Sequence, residues 1–197
     1  MGCYSIKIGA TNKVIFRKLD YQGGMNPAGE RFDTTNYYLE RNGQPFFGIC
    51  GEFHFSRYAE QRWVDEIIKM KLGGINTIST YVFWIHHEET AGKFDWSGNK
   101  NLRRFVEICA EEGLYVIIRI GPFCHGEVRN GGIPDWLYGR PFAVRSNDPE
   151  YLSLVSRLYH EIGRQVKGLM FQEGGPVIGV QLENEYQHAG APWEITT

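Results

Sequence analysis

Apolar positions along this chain alternate between two rhythms, short continuous runs and stripes of helical period. Trp63, Ile67 and Met70, with Val64 and Ile68 beside them, recur at helical spacing, and Gly73-Gly74 closes the stripe. The run "INTISTYVF" follows and predicts a strand rich in β-branched residues. Leu102, Phe105, Val106 and Cys109 form the next helical stripe, with Gly113 at the C-terminal cap position, and "LYVIIRI" is the strand after it. Asp148-Pro149 supplies an N-cap and a proline at the first helical position. Tyr151, Val155, Leu158, Ile162 and Val166 fill that helix's apolar face, and "PVIGVQLE" is a further strand. Before all of these stands "PFFGICG", Pro45 to Gly51, a first apolar run.

Residues 1–45 read differently. "KVIFRKL" and "TNYYLERNGQPFF" predict short strands, and Asn42-Gly43 is a strong hairpin signal. The division is therefore a β-rich segment over residues 1–45 and a β/α domain over 46–197. Four β/α steps with nearly continuous apolar strands imply a parallel sheet covered on its outer face. An eightfold barrel and an open doubly wound sheet both satisfy that pattern. The polar residues separate them. "STYVFWIHHEE", "GPFCHGE" and "QLENEY" each place charge just past the C-terminal end of a strand, and neither G-x-G-x-x-G nor a P-loop occurs. Polar groups on successive strand ends without a phosphate cradle predict the mouth of a (β/α)8 TIM barrel, of which about the first four units are present.

Composition narrows the classes. The 197 residues are 42% hydrophobic, enough for one core, and a net charge of -2 points to neither nucleic acid nor an anionic membrane surface. The cysteines, Cys3, Cys50, Cys109 and Cys124, show no C-x-x-C spacing, which predicts reduced, buried thiols. "MGCYSIKIGATNKVIF" lacks the apolar core of a signal peptide, and Ile6 stands where a myristoylation motif takes Ser or Thr. No run reaches the length of a membrane span. The expectation is a cytoplasmic protein.

Several clusters carry chemistry. Glu185 ends a strand beside amide and aromatic groups, where a carboxyl group can serve as a proton donor; the plain alternative is a loop acid. Glu183 lies two residues earlier, so an ideal strand points both carboxylates the same way. Glu127 follows the third strand, with a salt bridge to Arg129 or Arg119 as its structural reading. "HHEE", His86 to Glu89, invites a metal, but adjacent histidines on an extended segment diverge and no third ligand follows at helical spacing, so no metal or cofactor is expected. Cys124-His125 is a thiol–imidazole pair in sequence only. "GEFHFSR" reads as ion pairing under the pocket.

Six segments in order, "GEFHFSR", "KMKLGGINTISTYVFW", "HEETAGKFDWSGNKNL", "EEGLYVIIRIGPF", "GGIPDWL" and "GGPVIGVQLENEY", resemble the N-terminal half of the catalytic barrel of family 35 glycoside hydrolases, the retaining β-galactosidases. The resemblance implies a double displacement on terminal β-galactosides without cofactor. It makes Glu185 the general acid/base and Asn184 the partner of the sugar 2-hydroxyl. Tyr81 and Glu127 become galactose contacts, and His125 and Gly126 fall in the same substrate-contacting segment. The family's nucleophile, at the seventh strand, has no counterpart in this sequence, which reads as a fragment inactive by itself. Two departures stand out: Ile85 where family members carry asparagine, and His125-Gly126 where Asn-Ala or Cys-Ala is usual. They keep open a related hydrolase acting on β-mannosides or β-glucans. The missing nucleophile keeps open a non-catalytic carbohydrate-binding half-barrel that closes its sheet by dimerising.

Overall fold

The computed structural model describes residues 5, 9, 14–16 and 23–186. It divides into two compact units, one comprising residues 1–25 and 29–47 and the other residues 26–28 and 48–197.

The first unit holds an antiparallel sheet of three short strands in the order β1-β2-β3: β1 (Phe32–Thr34), β2 (Leu39–Arg41) and β3 (Gln44–Phe46). Asn42 and Gly43 join β2 to β3 with φ of 52° and 74°. Both central residues are thus left-handed, the geometry that makes Asn-Gly the favoured two-residue hairpin turn. Pro45 sits on the edge strand β3, where its missing N–H leaves no neighbour unpaired. Phe32 packs edge-on against Phe46 at 5.2 Å between ring centres. Of the expected "KVIFRKL" strand only residues 14–16 are described, and they carry no regular structure; its other residues lie outside the described ones.

The second unit contains β4 (Cys50–Glu52), α1 (Trp63–Leu72), β5 (Thr77–Tyr81), α2 (Trp84–His87), α3 (Leu102–Glu111), β6 (Tyr115–Arg119), α4 (Pro149–Val166) and β7 (Val177–Gln181). Strands β4-β5-β6-β7 pair in that order, every pair parallel. The architecture is α/β with a parallel sheet, as the strand–helix alternation predicts. The first apolar run proves to be two elements: Gln44–Phe46 finishes the hairpin, and the parallel strand starts only at Cys50.

Local chemistry sets the helix ends. Asp148 accepts from the Glu150 N–H at 2.9 Å, with Pro149 behind it, and Asn101 accepts from the Arg104 N–H at 3.0 Å. Gly113, at φ 72°, lets the chain turn back after α3 so that the Leu114 N–H reaches the Cys109 carbonyl at 2.9 Å. Trp63 and Ile67 of α1, Phe105 and Val106 of α3, and Val155 and Leu158 of α4 pack with Ile78, Val116 and Val177 of the strands. Each such side chain contributes about 1.5–3 kcal/mol by leaving water. Only β5 is buried along its whole length. On β7 Val180 is 46% exposed; beyond β7 no further named strand pairs with it among the described residues.

Cys109 and Cys124 are buried thiols as expected, whereas Cys50 is exposed. Cys3 lies outside the described residues. Among the described residues no helix is long and apolar enough to cross a membrane.

Candidate active site

Parallel pairing brings the C-terminal ends of the strands to one edge. In register, Glu52 lies opposite Ser79, Tyr81 opposite Arg119, and Arg119 opposite Gln181. Polar residues that end apolar runs in sequence thereby become neighbours in space.

Tyr81 is 2% exposed, with the Arg119 guanidinium 3.7 Å above its ring and His54 5.2 Å away. Its hydroxyl donates to Asn184 Oδ1 at 2.8 Å. The same oxygen accepts from Arg119 Nη2 at 2.7 Å and from Gln181 Nε2 at 3.2 Å. Three donors on one carbonyl oxygen fix the amide plane and its orientation, and none of these bonds uses Nδ2. Burial pushes the Tyr81 hydroxyl up to about 12, so at neutral pH it is a phenol and a donor. Arg119 also pairs with Glu52 through Nη1. Burial lowers the His54 imidazole, helped by the nearby Arg57 charge.

The expectation that Glu183 and Glu185 point the same way does not hold. The strand ends at Gln181, and both glutamates adopt left-handed backbone, φ 57° and 43°. Such conformations are uncommon for glutamate and gather where surrounding contacts enforce a special direction. Glu183 turns to Arg145, whose guanidinium donates to Oε2 at 2.7 Å and to the Asn184 main-chain carbonyl at 2.8 Å. Arg145 is 5% exposed, so this pair is an internal fastening. Glu185 turns instead to His125, with Nδ1 2.8 Å from Oε2, and its side chain stays 51% exposed.

Tyr81, Asn184, His125 and Glu185 are therefore brought together. Gly126 permits it: a Cβ there would come within 3.0 Å of the Phe83 ring and 3.2 Å of the Tyr81 ring. Glu127, also left-handed at φ 49°, makes neither expected salt bridge. Arg129 pairs with Asp135 at 2.6 Å, and Arg119 is taken by Glu52. Glu127 instead lines a cavity of about 500 Å³ with Arg57, Ile85, His86 and Val128. A larger cavity, about 930 Å³, lies between α4 and β7, is walled by apolar groups such as Val155, Ile162 and Val180, and holds none of this chemistry.

The remaining clusters resolve structurally. His86 Nδ1 meets Ser56 Oγ at 2.8 Å. His87 is fully buried, stacks on Trp96 at 4.1 Å between ring centres, and is lowered to about 3 by that burial. Among the described residues no group of three or more His, Cys, Asp or Glu could hold a metal ion. Cys124 is fully buried, which pushes its thiol far up and leaves no thiolate for nucleophilic attack. Sequence reasoning missed Arg145 and Gln181 as orienting groups and gave Arg119 only as a salt-bridge partner. Arg119 carried a usable signal, a charge closing the apolar run "LYVIIR". Arg145 carried none, since its partners lie 38 and 39 residues further on.

The chain is 40% identical over 167 residues to a beta-galactosidase of Canis lupus familiaris and 39% identical over 167 residues to one of Homo sapiens. Each alignment covers 83% of this chain and 25% of the relative. A beta-galactosidase of Xanthomonas manihotis is 40% identical over 156 residues, 79% of this chain and 26% of that protein. The chain thus spans about a quarter of the length of the curated relatives it matches. Two solved structures share the fold. An exo-beta-1,4-mannosidase from an Opitutaceae bacterium gives a TM-score of 0.58 at 19% identity over 83% of this chain and 27% of its own. A beta-galactosidase from the psychrophilic Marinomonas ef1 gives 0.55 at 20% over 74% and 23%. The model of the family described as "Glycosyl hydrolases family 35" matches residues 38–195, and with those relatives it establishes that the chain belongs to glycosyl hydrolase family 35.

Proposed function

We propose that this chain carries the acid/base half of a retaining β-galactosidase site. The observation that carries the reading is the Asn184–Glu185 pair at the strand edge: an asparagine whose carbonyl is held by three donors, followed by a half-exposed carboxylate. In this reading Nδ2 of Asn184 donates to a sugar hydroxyl. Glu185 delivers a proton to the departing glycosidic oxygen, then withdraws one from water when the glycosyl-enzyme is hydrolysed. Tyr81 and Glu127 contact the galactose, with His125 and Gly126 shaping the wall between them.

The mechanism needs a second carboxylate about 5–5.5 Å from the first. Glu183 is bound to Arg145 and is a supporting residue. In this reading, as the family resemblance implies, the nucleophile comes from a part of the protein outside this sequence, and the 197-residue chain alone should not turn over galactosides. Strands β4–β7 are in this reading the first four of an eight-stranded barrel, with residues 46–197 belonging to it and residues 1–45 preceding it.

A second reading keeps the chemistry and changes the sugar. The cavity lined by Glu127 has Ile85 and Val128 in its wall among otherwise polar and charged residues, and those two side chains offer no hydrogen bond to a sugar hydroxyl. A β-mannoside or β-glucan would be sorted from a galactoside at that wall. The test is the full-length gene product against a panel of aryl β-glycosides. Preference for galactosides, with the β-anomer as the first product by proton NMR, is the expected outcome. Preference for mannosides selects the second reading, and no cleavage of any member sinks both.

A further inference from the structure

His125 has a role that neither the fold nor a sugar contact requires. Its imidazole is the only polar contact of the Glu185 carboxylate among the described residues, 2.8 Å from Nδ1 to Oε2. The side chains are 59% and 51% exposed, so the pair adds little to folding stability. Its anchorage is firm nonetheless. The His125 main chain meets the Tyr81 hydroxyl, and Gly126 packs against the Phe83 and Tyr81 rings. The imidazole thus extends from a fixed point to a carboxylate that has no arginine partner among the described residues.

We propose that His125 is a positioning residue for Glu185, holding Oε2 with an Nδ1–H donor so that Oε1 carries the transferable proton. This rests on the acid/base reading of Glu185. The chemistry follows from acceptor strength. In a neutral carboxyl group the carbonyl oxygen accepts better than the hydroxyl oxygen, so an imidazole N–H on Oε2 favours the acid proton on Oε1. The positive φ of Glu185 makes such a holder necessary, because the residue has left the strand whose pleat would otherwise direct its side chain. An asparagine in place of His125 can present an N–H where Nδ1 now sits; an alanine cannot.

The experiment uses the full-length gene product with His125→Ala and His125→Asn. Alanine should lower kcat on alkyl or disaccharide galactosides about 10- to 100-fold with KM nearly unchanged, since misplacing a proton donor costs on that scale. The loss on a dinitrophenyl galactoside, whose leaving group needs little protonation, should stay within about 3-fold. Asparagine should recover most of the deficit. Equal losses on both substrate classes, or asparagine no better than alanine, overturn the proposal. An independent readout separates it from the glycosidase reading: the His125 side-chain nitrogen resonance, compared between wild type and Glu185→Gln. If the wild type cleaves no galactoside, the acid/base reading falls while a shifted resonance upholds the pairing; an unmoved resonance overturns the pairing whatever the activity.

Discussion

Two strand ends on this sheet each deliver a glutamate, and the two are treated in opposite ways. In the segment after β5, Glu88 is fully buried and accepts from the Trp84 indole N–H at 2.7 Å, from the Gly92 N–H at 2.6 Å and from Arg157. After β7, Glu185 is half-exposed and meets one imidazole. A carboxylate surrounded by donors is fixed in place as a structural acceptor. A carboxylate with one partner and an open side keeps an oxygen accessible to a ligand. Glu183, only two residues from Glu185, falls on the fixed side through Arg145. Partner number separates Glu183 from Glu185, and position along the strand does not predict that number.

The comparison makes a double dissociation the sharpest test. Glu185→Gln in the full-length protein should cut hydrolysis of substrates with poor leaving groups about 10²–10⁴-fold. It should shift unfolding by less than about 0.5 kcal/mol, as exposed substitutions do. Glu88→Ala should do the reverse. It strands an indole N–H, a main-chain N–H and a guanidinium, and should cost about 3 kcal/mol by denaturant unfolding. Stability loss at Glu185 matching that at Glu88 would erase the distinction between the two ends.

The same contrast explains how much was legible beforehand. The helices at Trp63–Leu72, Leu102–Glu111 and Pro149–Val166 follow from period, caps and glycine stops, all of which are local signals. The Asn42-Gly43 turn is equally local. The start of β4 was not legible, because one apolar run serves both a hairpin and a parallel strand, and no residue inside it announces the break. At the site, the polar residues closing apolar runs pointed to Glu185, and the family resemblance added Asn184. Their environment was out of reach: Tyr81 lies 103 residues from Asn184, and Arg119 lies 65. Contacts over such separations depend on strand order and register, which the pattern of apolar residues implies only as a parallel sheet. The left-handed turns at Glu183 and Glu185 were illegible for another reason, since glutamate gives no sequence signal for positive φ.

His87 extends the comparison to pH. It neighbours Glu88, is lowered to about 3 by burial, and has a buried Nε2 without a hydrogen-bond partner among the described residues. In the unfolded chain the imidazole titrates near 6.5, so between those values the unfolded state binds the extra proton. Stability from this group is therefore complete above pH 6.5 and declines as pH falls toward 3, by at most about 1.4 kcal/mol per pH unit. His87→Phe should keep the stacking on Trp96 and flatten that decline in unfolding measured at pH 7 and pH 4.5. His54 and His86 are also lowered by burial and titrate with the same sign, so a shallower slope should persist. An unchanged slope in the phenylalanine variant would mean that His87 takes up its proton without unfolding.

The smallest effect tests how the open end of the site is built. Tyr81→Phe removes one of three donors from Asn184 Oδ1 and leaves Arg119 and Gln181 in place. A single neutral hydrogen bond is worth about 1 kcal/mol, or about 5-fold in rate if it acts only by orienting Asn184. The loss should appear equally with good and poor leaving groups, because a displaced amide weakens sugar binding before any proton moves. A loss of hundreds-fold would be too large for orientation through two remaining donors. The hydroxyl would then have to act at the reacting centre, beyond its proposed galactose contact and its bond to Asn184, and Tyr81 would move from the frame of the site into its chemistry.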